Sequence, residues 1–154
     1  MKTKFLSILI FTCLILVFGS CNKDNDDPIV SDGQMTLKYN GNAWSATLAV
    51  VGSNSNGTIN VTGSDATAHQ ASVTLVGVTS TGTYEVTAGS QHQLRWTEGI
   101  SQEETYGANG IVGSGTVTLT ELSETKAVGT FSFTGVNMNG DTREITDGTF
   151  EVEF

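Results

Sequence analysis

Apolar and polar residues alternate along most of the chain from Gln34 onward, with the period of two that a half-buried strand requires. Threonine, valine and glycine are abundant in this part, and only Ser101–Thr105 indicates a helical turn. The pattern therefore predicts one all-β domain of about nine or ten short antiparallel strands, arranged as a sandwich or as a barrel-like sheet.

A five-residue phrase that begins with Gly-Thr recurs five times in this domain. We predict that each glycine ends a turn and that a strand begins directly after it. The spacing between the phrases is irregular, which argues against a solenoid. The phrases are Gly57–Val61, Gly82–Val86, Gly115–Leu119, Gly129–Phe133 and Gly148–Val152.

The strongest hairpin signal is Asn40-Gly41, because both central residues of a type I′ turn need positive φ angles. A two-residue loop there places Leu37 opposite Trp44 on a shared apolar face. The alternation then carries the same face through Ala46 to Leu48, which we expect to be buried.

Two further hairpins and one bulge are expected along the domain. A loop at 124–126 would place Leu119 opposite Phe131, and a turn near 139–141 would join the last two strands. A change of phase at Val76-Gly77 indicates a β-bulge.

The first twenty residues have a different character. Lys2 and Lys4 precede a continuous run of 14 mostly apolar residues, Phe5–Phe18. That length fits the core of a secretory signal peptide and is shorter than the roughly 20 residues that span a bilayer. We therefore predict that residues 1–20 are removed during export.

The run ends in Gly19-Ser20-Cys21, which resembles the lipobox of bacterial lipoproteins. The resemblance implies cleavage before Cys21 and acylation at this residue, with several acyl chains acting as the membrane anchor. Phe18 stands where leucine is usual, and Cys13 is a poorer candidate because more membrane-like sequence follows it. Asn22 replaces the aspartate that retains many such proteins at the inner membrane, which favours the outer membrane.

Residues 21–33 are polar and acidic, and they predict a flexible linker between the anchor and a domain at 34–154. Within this linker, Lys23–Asp27 is similar to the acidic signals that send some lipoproteins to the cell surface. A solvated linker without any signal explains the same residues equally well.

Charge and cysteine content argue against several classes of partner and site. Removal of residues 1–20 would leave 5 basic and 16 acidic residues, a formal charge of −11. No stretch is basic enough to follow a phosphate backbone, which argues against nucleic acid as a partner. Cys21 would be the only cysteine left, which rules out an intrachain disulfide and a cysteine-based metal site.

The sequence predicts no catalytic residue, no metal site and no other cofactor. Ile111–Gly115 resembles a nucleophile elbow only in part, because isoleucine replaces its first glycine and no helix follows. Alternation places His92 and Glu98 on the strand face of Trp96, at the two ends of a possible enclosed space. The candidate ligand-binding residues are His92, Trp96, Glu98 and Tyr106.

Other polar and aromatic residues are assigned structural roles. His69 lies in a loop-like segment and is expected to be exposed, whereas Trp44, Trp96 and Tyr39 are in phase with core residues. The oxygen-bearing side chains between positions 137 and 147 match no calcium loop, so we assign them to turns.

The segments Gly115–Leu119, Gly129–Phe133 and Ile145–Phe150 resemble those of a family of bacterial lipoproteins catalogued as a domain of unknown function. The resemblance extends over most of residues 34–154 and implies one all-β domain on a lipid anchor. It rests on glycines and core residues, and it transfers no active site.

These observations favour a non-enzymatic, lipid-anchored protein of the cell envelope whose β-domain binds or scaffolds an envelope protein or a glycan. One alternative is a small-ligand carrier with a barrel interior lined by Trp44, Trp96 and Tyr84. Another is a hydrolase or lyase that holds carboxylates such as Glu98 and Glu103 close together in a cleft.

Overall fold

The computed structural model describes residues 33–154 of the chain. In this part, the residues with the alternating pattern form eleven antiparallel strands. The predicted signal peptide and the lipidation site Cys21 lie outside these residues, as does the linker up to position 32. A single 3₁₀ turn, Gln102–Glu104, confirms the helical turn expected there. The strands are β1 (Gly33–Tyr39), β2 (Asn42–Ser45), β3 (Ala49–Ser55), β4 (Thr58–Ser64), β5 (Gln70–Leu75), β6 (Gly82–Val86), β7 (Gln93–Thr97), β8 (Thr105–Ala108), β9 (Ser114–Leu122), β10 (Lys126–Val136) and β11 (Thr142–Glu153).

All eleven strands belong to one sheet that curls into a half-barrel, which confirms the all-β prediction. The main path of the sheet runs β2-β1-β11-β10-β8-β7-β5-β4-β3, and β9 with β6 branches from β10. Strands β8 and β9 run in the same direction along the same side of β10. They therefore act as one strand that is interrupted by residues 109–113.

The connection between β2 and β3 joins the two edges of the sheet. The backbone N–H groups of Thr47 and Leu48 both donate to the carbonyl of Ser64, at 3.1 and 3.0 Å. The edge strand β2 is thereby held against the opposite margin of the sheet, which keeps the curl tight.

The half-barrel has two ends, which we call the near end and the far end. Gly33, the first described residue, lies at the near end together with the β9–β10 turn. The far end carries the connections β1–β2, β4–β5, β7–β8 and β10–β11. A linker that enters at Gly33 therefore reaches the domain at the end opposite to these four connections.

Large apolar side chains fill the concave face of the sheet. Trp96, Phe150 and Met35 are the largest of those that are essentially inaccessible to solvent. Each such side chain stabilises the fold by about 1.5–3 kcal/mol relative to exposure. Tyr84 stays only half-buried, and its hydroxyl donates to the carbonyl of Ser80 at 2.6 Å. These positions give no support to the carrier hypothesis, in which Trp44, Trp96 and Tyr84 would line an interior that binds a small ligand.

The first hairpin is confirmed in turn type and register. Asn40 and Gly41 both have positive φ angles, 48° and 81°, and Leu37 lies opposite Trp44. The expectation that Leu48 is buried is wrong, because 63% of this residue is exposed. The chain leaves β2 after Ser45 to cross between the sheet edges, so the alternation of β2 does not continue.

The predicted register of the β9–β10 hairpin is wrong by two residues. Phe131 lies opposite Val117 instead of Leu119, which faces Gly129. The turn has a two-residue loop, and an irregularity at Val128/Gly129 adds a second offset. Because a shift by two residues preserves the face of every side chain, the apolar residues still point inward.

The phase change at Val76-Gly77 marks the end of a strand, so the bulge predicted there is also wrong. β5 ends at Leu75, and Gly77 has a φ of 72° in the connection that follows. The hairpin predicted near 139–141 is confirmed, with Val136 opposite Thr142.

Two of the five Gly-Thr glycines lie in the middle of strands, so the prediction that they end turns is wrong for Gly129 and Gly148. Gly129 lies opposite Phe150, and Gly148 lies opposite Phe131. A Cβ on Gly129 would come within 2.7 Å of the Phe150 ring, and one on Gly148 within 2.8 Å of the Phe131 ring. These glycines leave space for the phenyl rings inside the curled sheet.

Candidate functional site

Trp96 is the centre of a group of four contacting aromatic rings at the far end, which we call the aromatic cluster: Tyr39, Trp44, His69 and Trp96. The Trp96 ring centroid lies 4.9 Å from that of Tyr39 and 5.1 Å from that of Trp44. The imidazole of His69 stacks on Trp96 at 5.5 Å and an interplanar angle of 11°. The cluster joins β1, β2 and β7 to the β4–β5 loop.

Each indole N–H of the cluster donates to a carboxylate. Trp44 Nε1 donates to Asp65 Oδ2 at 2.7 Å, and Trp96 Nε1 donates to Glu98 Oε1 at 2.9 Å. Buried tryptophans need such acceptors, since an unpaired N–H in the interior costs roughly 1–3 kcal/mol.

Asp65 receives several further hydrogen bonds from its own loop. Its Oδ1 accepts from the backbone N–H of Thr67 at 2.7 Å and from that of His69 at 3.0 Å. Burial acts to raise the pKa of Asp65, but the hydrogen bonds from Thr67, Trp44 and the loop backbone outweigh it and hold this pKa well below its usual value. The carboxylate is therefore ionised at neutral pH and orders the loop around itself.

Glu98 also binds Arg143, which reaches it from β11. The guanidinium Nη2 lies 2.6 Å from Glu98 Oε2 and donates to the Tyr106 hydroxyl at 3.0 Å. The guanidinium carbon lies 4.6 Å from the centroid of the Tyr106 ring, which adds a cation–π contact. These contacts fasten the β10–β11 hairpin to β7 and β8.

Three of the four predicted site residues are brought together, and His92 is not. Trp96, Glu98 and Tyr106 are linked through Arg143, whereas His92 precedes the opposite end of β7. Six residues of extended strand separate His92 from Glu98 by about 20 Å. The two residues thus lie at opposite ends of β7, and a shared role in ligand binding stays a prediction.

His92 has its own structural setting. Its Nδ1 accepts from the backbone N–H of Val76 at 3.2 Å, and its ring meets the edge of Tyr84 at 5.7 Å. These contacts hold the β5–β6 connection and β6 against the start of β7.

Sequence reasoning missed Asp65, His69 and Arg143. The expectation that His69 is exposed is wrong, since only 22% of its side chain is accessible. The spacing Asp65-x-Thr67-x-His69 carried a usable signal, because an aspartate commonly bonds the backbone two residues later. Arg143 carried no such signal, because its partner Glu98 lies 45 residues away.

The far-end connections use their oxygen atoms for turn formation, as predicted. Asn137 Oδ1 accepts from the backbone N–H groups of Asn139 and Asp141, at 3.0 and 2.8 Å. The Asn137 Nδ2 donates to the carbonyl of Glu103 at 2.8 Å and so joins two connections. Within residues 33–154, no three or more His, Cys, Asp or Glu side chains are grouped to hold a metal ion.

The convex face of β9, β10 and β11 carries a hydroxyl-lined groove. It consists of two adjoining open depressions of about 480 and 240 Å³ that share Ser132. Asp147 lies at its margin with a φ of 51° and pairs with Lys38 at 2.9 Å. The remaining lining is mainly hydroxyl side chains: Thr116, Thr118, Thr130, Thr149, Ser114, Thr134 and Thr146.

No helix among residues 33–154 is long and apolar enough to cross a membrane.

The fold is a small antiparallel half-barrel domain. Residues 32–152 match a family model described as a domain of unknown function, DUF6252, and the chain belongs to that family. No curated protein and no solved structure matches the chain.

Proposed function

We propose that this chain is a lipid-anchored protein of the cell envelope, held at the outer membrane by acyl groups on Cys21. Its half-barrel domain serves as a non-enzymatic binding or scaffolding module for an envelope protein or a glycan. The observation that carries the proposal is the apolar run Phe5–Phe18 followed by Gly19-Ser20-Cys21.

The position of Gly33 supports this arrangement. Residues 21–33 would span at most about 45 Å when fully extended. They would enter the domain at its near end, so the four far-end connections would point away from the anchor. This geometry suits a module that presents loops to a partner at a distance from the membrane.

The contacts of the carboxylates support a binding role over a hydrolytic one. Glu98 is engaged by Trp96 and Arg143, and the Glu104 carboxylate accepts from the backbone N–H of Ser101. Both carboxylate oxygens of Glu98 are thus already engaged by neighbouring side chains. The hydrolase hypothesis therefore loses Glu98, one of the two carboxylates that motivated it.

The anchor is tested by replacing Cys21→Ala in the full-length chain. Membranes and soluble fractions are separated after growth with an alkyne-labelled fatty acid. We expect the variant to lose the label and to leave the outer-membrane fraction, while Cys13→Ala as the matched control keeps both. An unchanged membrane fraction and label in Cys21→Ala would refute the anchor.

Surface exposure is tested separately by digestion of intact cells with a protease. Rapid loss of the domain, with a periplasmic marker left intact, is the result expected for a surface protein. Protection of the domain until the outer membrane is permeabilised would place it in the periplasm.

A further inference from the structure

The hydroxyl-lined groove on the convex face is centred on an irregularity between β10 and β11. The pairing of these strands shifts by one residue at Ser132, so this serine alone faces both Thr146 and Asp147. Two residues opposite one is the arrangement of a β-bulge, which bends its strand and re-aims the side chains there. The two depressions of the groove meet at Ser132, so the bulge lies at its centre.

Asp147 has a backbone conformation that glycine would adopt with less strain. Its φ of 51° lies in the left-handed region, which favours glycine. Within residues 33–154 its carboxylate forms one ion pair, with Lys38 at 2.9 Å, and both side chains are largely exposed. Because an exposed pair of this kind stabilises a fold only slightly, stability does not account for a carboxylate at the margin of the groove.

Most of the hydroxyl groups along the groove are left free by the fold. Thr116 donates to Glu85, and Thr118 and Thr149 each share a hydrogen bond with a threonine of the next strand. The other lining hydroxyls have no side-chain or backbone partner in the part of the chain that the structure describes: Ser114, Thr130, Ser132, Thr134 and Thr146.

The outer face of β4, β5 and β7 shows that this arrangement is not a general property of the sheet. Threonine is common on the solvent side of strands, so residue type alone does not mark a site. On that face, however, polar side chains bond to one another, as in the donation from Thr74 to Asn60 and from Arg95 to Gln70, both at 2.9 Å. The groove differs because it is concave and leaves its donors and acceptors open.

The chemistry of the lining selects a class of ligand. A hydroxyl group both donates and accepts, so a row of them matches a ligand whose own polar groups do both. The aromatic side chains in the lining are buried, and it contains no arginine, whereas exposed aromatics and arginine dominate protein–protein contacts. The carboxylates of Asp147 and Glu144 oppose an anionic ligand such as a nucleic acid.

We propose that this groove binds an uncharged glycan segment. Asp147 accepts hydrogen bonds from sugar hydroxyls at the bulge, and the free serine and threonine hydroxyls contact the chain along the strands. The groove extends from Thr118 to Ser114, four residues of extended strand or roughly 13 Å, which suits a short oligosaccharide segment.

The proposal rests on the binding role in the proposed function and names the glycan as the partner. With no exposed aromatic ring to stack on a sugar, each groove binds weakly. Several copies anchored to one membrane would hold a glycan polymer more tightly than a single copy, because the second contact becomes intramolecular.

Saturation-transfer NMR detects weak binding of this kind. The full-length chain in lauryldimethylamine oxide micelles is mixed with cellohexaose, mannohexaose or N-acetylchitohexaose, and hexagalacturonate serves as the anionic control. We expect saturation transfer to at least one neutral oligosaccharide and none to the anionic one. No transfer to any of the three, or transfer to hexagalacturonate alone, would overturn the proposal.

A pair of matched variants tests the location of the site. Ser132→Phe fills the point where the depressions meet, and Ser53→Phe places the same ring on the outward face of β3. Both serines are exposed, so neither change disturbs the core. Ser132→Phe should abolish the transfer and Ser53→Phe should leave it unchanged. An equal loss in both variants, or a loss in neither, contradicts binding in the groove.

Asp147→Gly separates a binding role from a structural one. Glycine relieves the left-handed conformation, so the melting temperature should stay the same or rise, while the transfer to the oligosaccharide should fall. Undiminished transfer would remove Asp147 from the site and overturn the proposal.

The Cys21→Ala chain keeps the two levels of the argument apart. It should lose the membrane and still bind the oligosaccharide. Retention of Cys21→Ala on membranes would count against the anchor and leave the groove untouched, whereas a failure of glycan binding in both chains would overturn the groove alone.

Discussion

Two regions of the half-barrel accommodate large rings in different ways. In the aromatic cluster, the indole N–H groups of Trp44 and Trp96 are satisfied by carboxylates at the rim of the sheet. In β10 and β11, the phenyl rings of Phe131 and Phe150 lie over glycines of the neighbouring strand. A ring with a polar atom needs an acceptor, and a ring without one needs only space.

The difference determines how each region fails. Changes in the cluster remove packing together with a hydrogen bond to a charged group, so their effects depend on ionisation. Changes at the glycines introduce a steric conflict, which is independent of pH and salt. The following experiments separate the two kinds of dependence.

The largest effect is expected from Trp96→Ala, because this side chain is completely buried and contacts three other rings. Loss of a large buried ring typically costs about 3–5 kcal/mol of unfolding free energy. Urea denaturation followed by circular dichroism measures the change. Trp96→Phe retains much of the packing and should cost clearly less, while a cost below about 1 kcal/mol for Trp96→Ala would contradict a central role.

Gly129→Val should destabilise the second region by about 1–3 kcal/mol, since its Cβ would collide with the Phe150 ring. Gly107→Ala is the matched control, because its Cβ would meet nothing closer than 3.9 Å. Thermal melting of both variants at several pH values measures the effect. The loss in Gly129→Val should not vary with pH, and Phe150→Leu in the same chain should recover part of it.

Asp65→Asn should remove a pH-dependent part of the stability. Because the folded-state pKa of Asp65 is lowered, its contribution is present above the unfolded carboxyl range near pH 4 and is lost as the pH falls toward the folded-state pKa. Loss of charged hydrogen bonds should cost about 1–3 kcal/mol at pH 7. Denaturation between neutral and acidic pH should show a flatter decline in Asp65→Asn than in Glu124→Gln, an exposed carboxylate chosen as control. Equal slopes would show that Asp65 is not linked to folding.

The smallest effect is expected from Lys38→Gln, which removes the ion pair with Asp147 on the convex face. Both side chains are largely exposed, at 49% and 67%, so the pair contributes less than about 1 kcal/mol. Thermal melting at low and high salt measures the change. A large, salt-independent loss would mean that this pair holds the backbone of β11 at Asp147, where φ is 51°.

The fold class could be predicted from the local sequence pattern, and so could several contacts between strands. The two-residue periodicity assigned inward faces to most strands, and Asn40-Gly41 specified its own turn by positive φ angles. The β9–β10 register was off by two residues because loop length and the irregularity at Val128/Gly129 are not visible in the alternation. A shift by two leaves faces unchanged, which is why the core prediction held while the pairing did not.

The candidate site depended on contacts that no local pattern carries. Trp96 and Tyr106 were identified as residues of interest, but their link through Arg143 joins segments far apart in the chain. His92 was placed with Glu98 because alternation reports which face a residue occupies and not which neighbours surround it.

By itself, the sequence determined the all-β architecture and the first hairpin. It also determined the identity of most core residues, because backbone geometry and burial impose these features over a few residues. Only the tertiary structure decided that Gly129 and Gly148 make room for phenyl rings, and that residues 109–113 interrupt the continuous strand formed by β8 and β9. The reason is that curling of the sheet sets which strands face each other across the interior, and that curvature is a property of all eleven strands together.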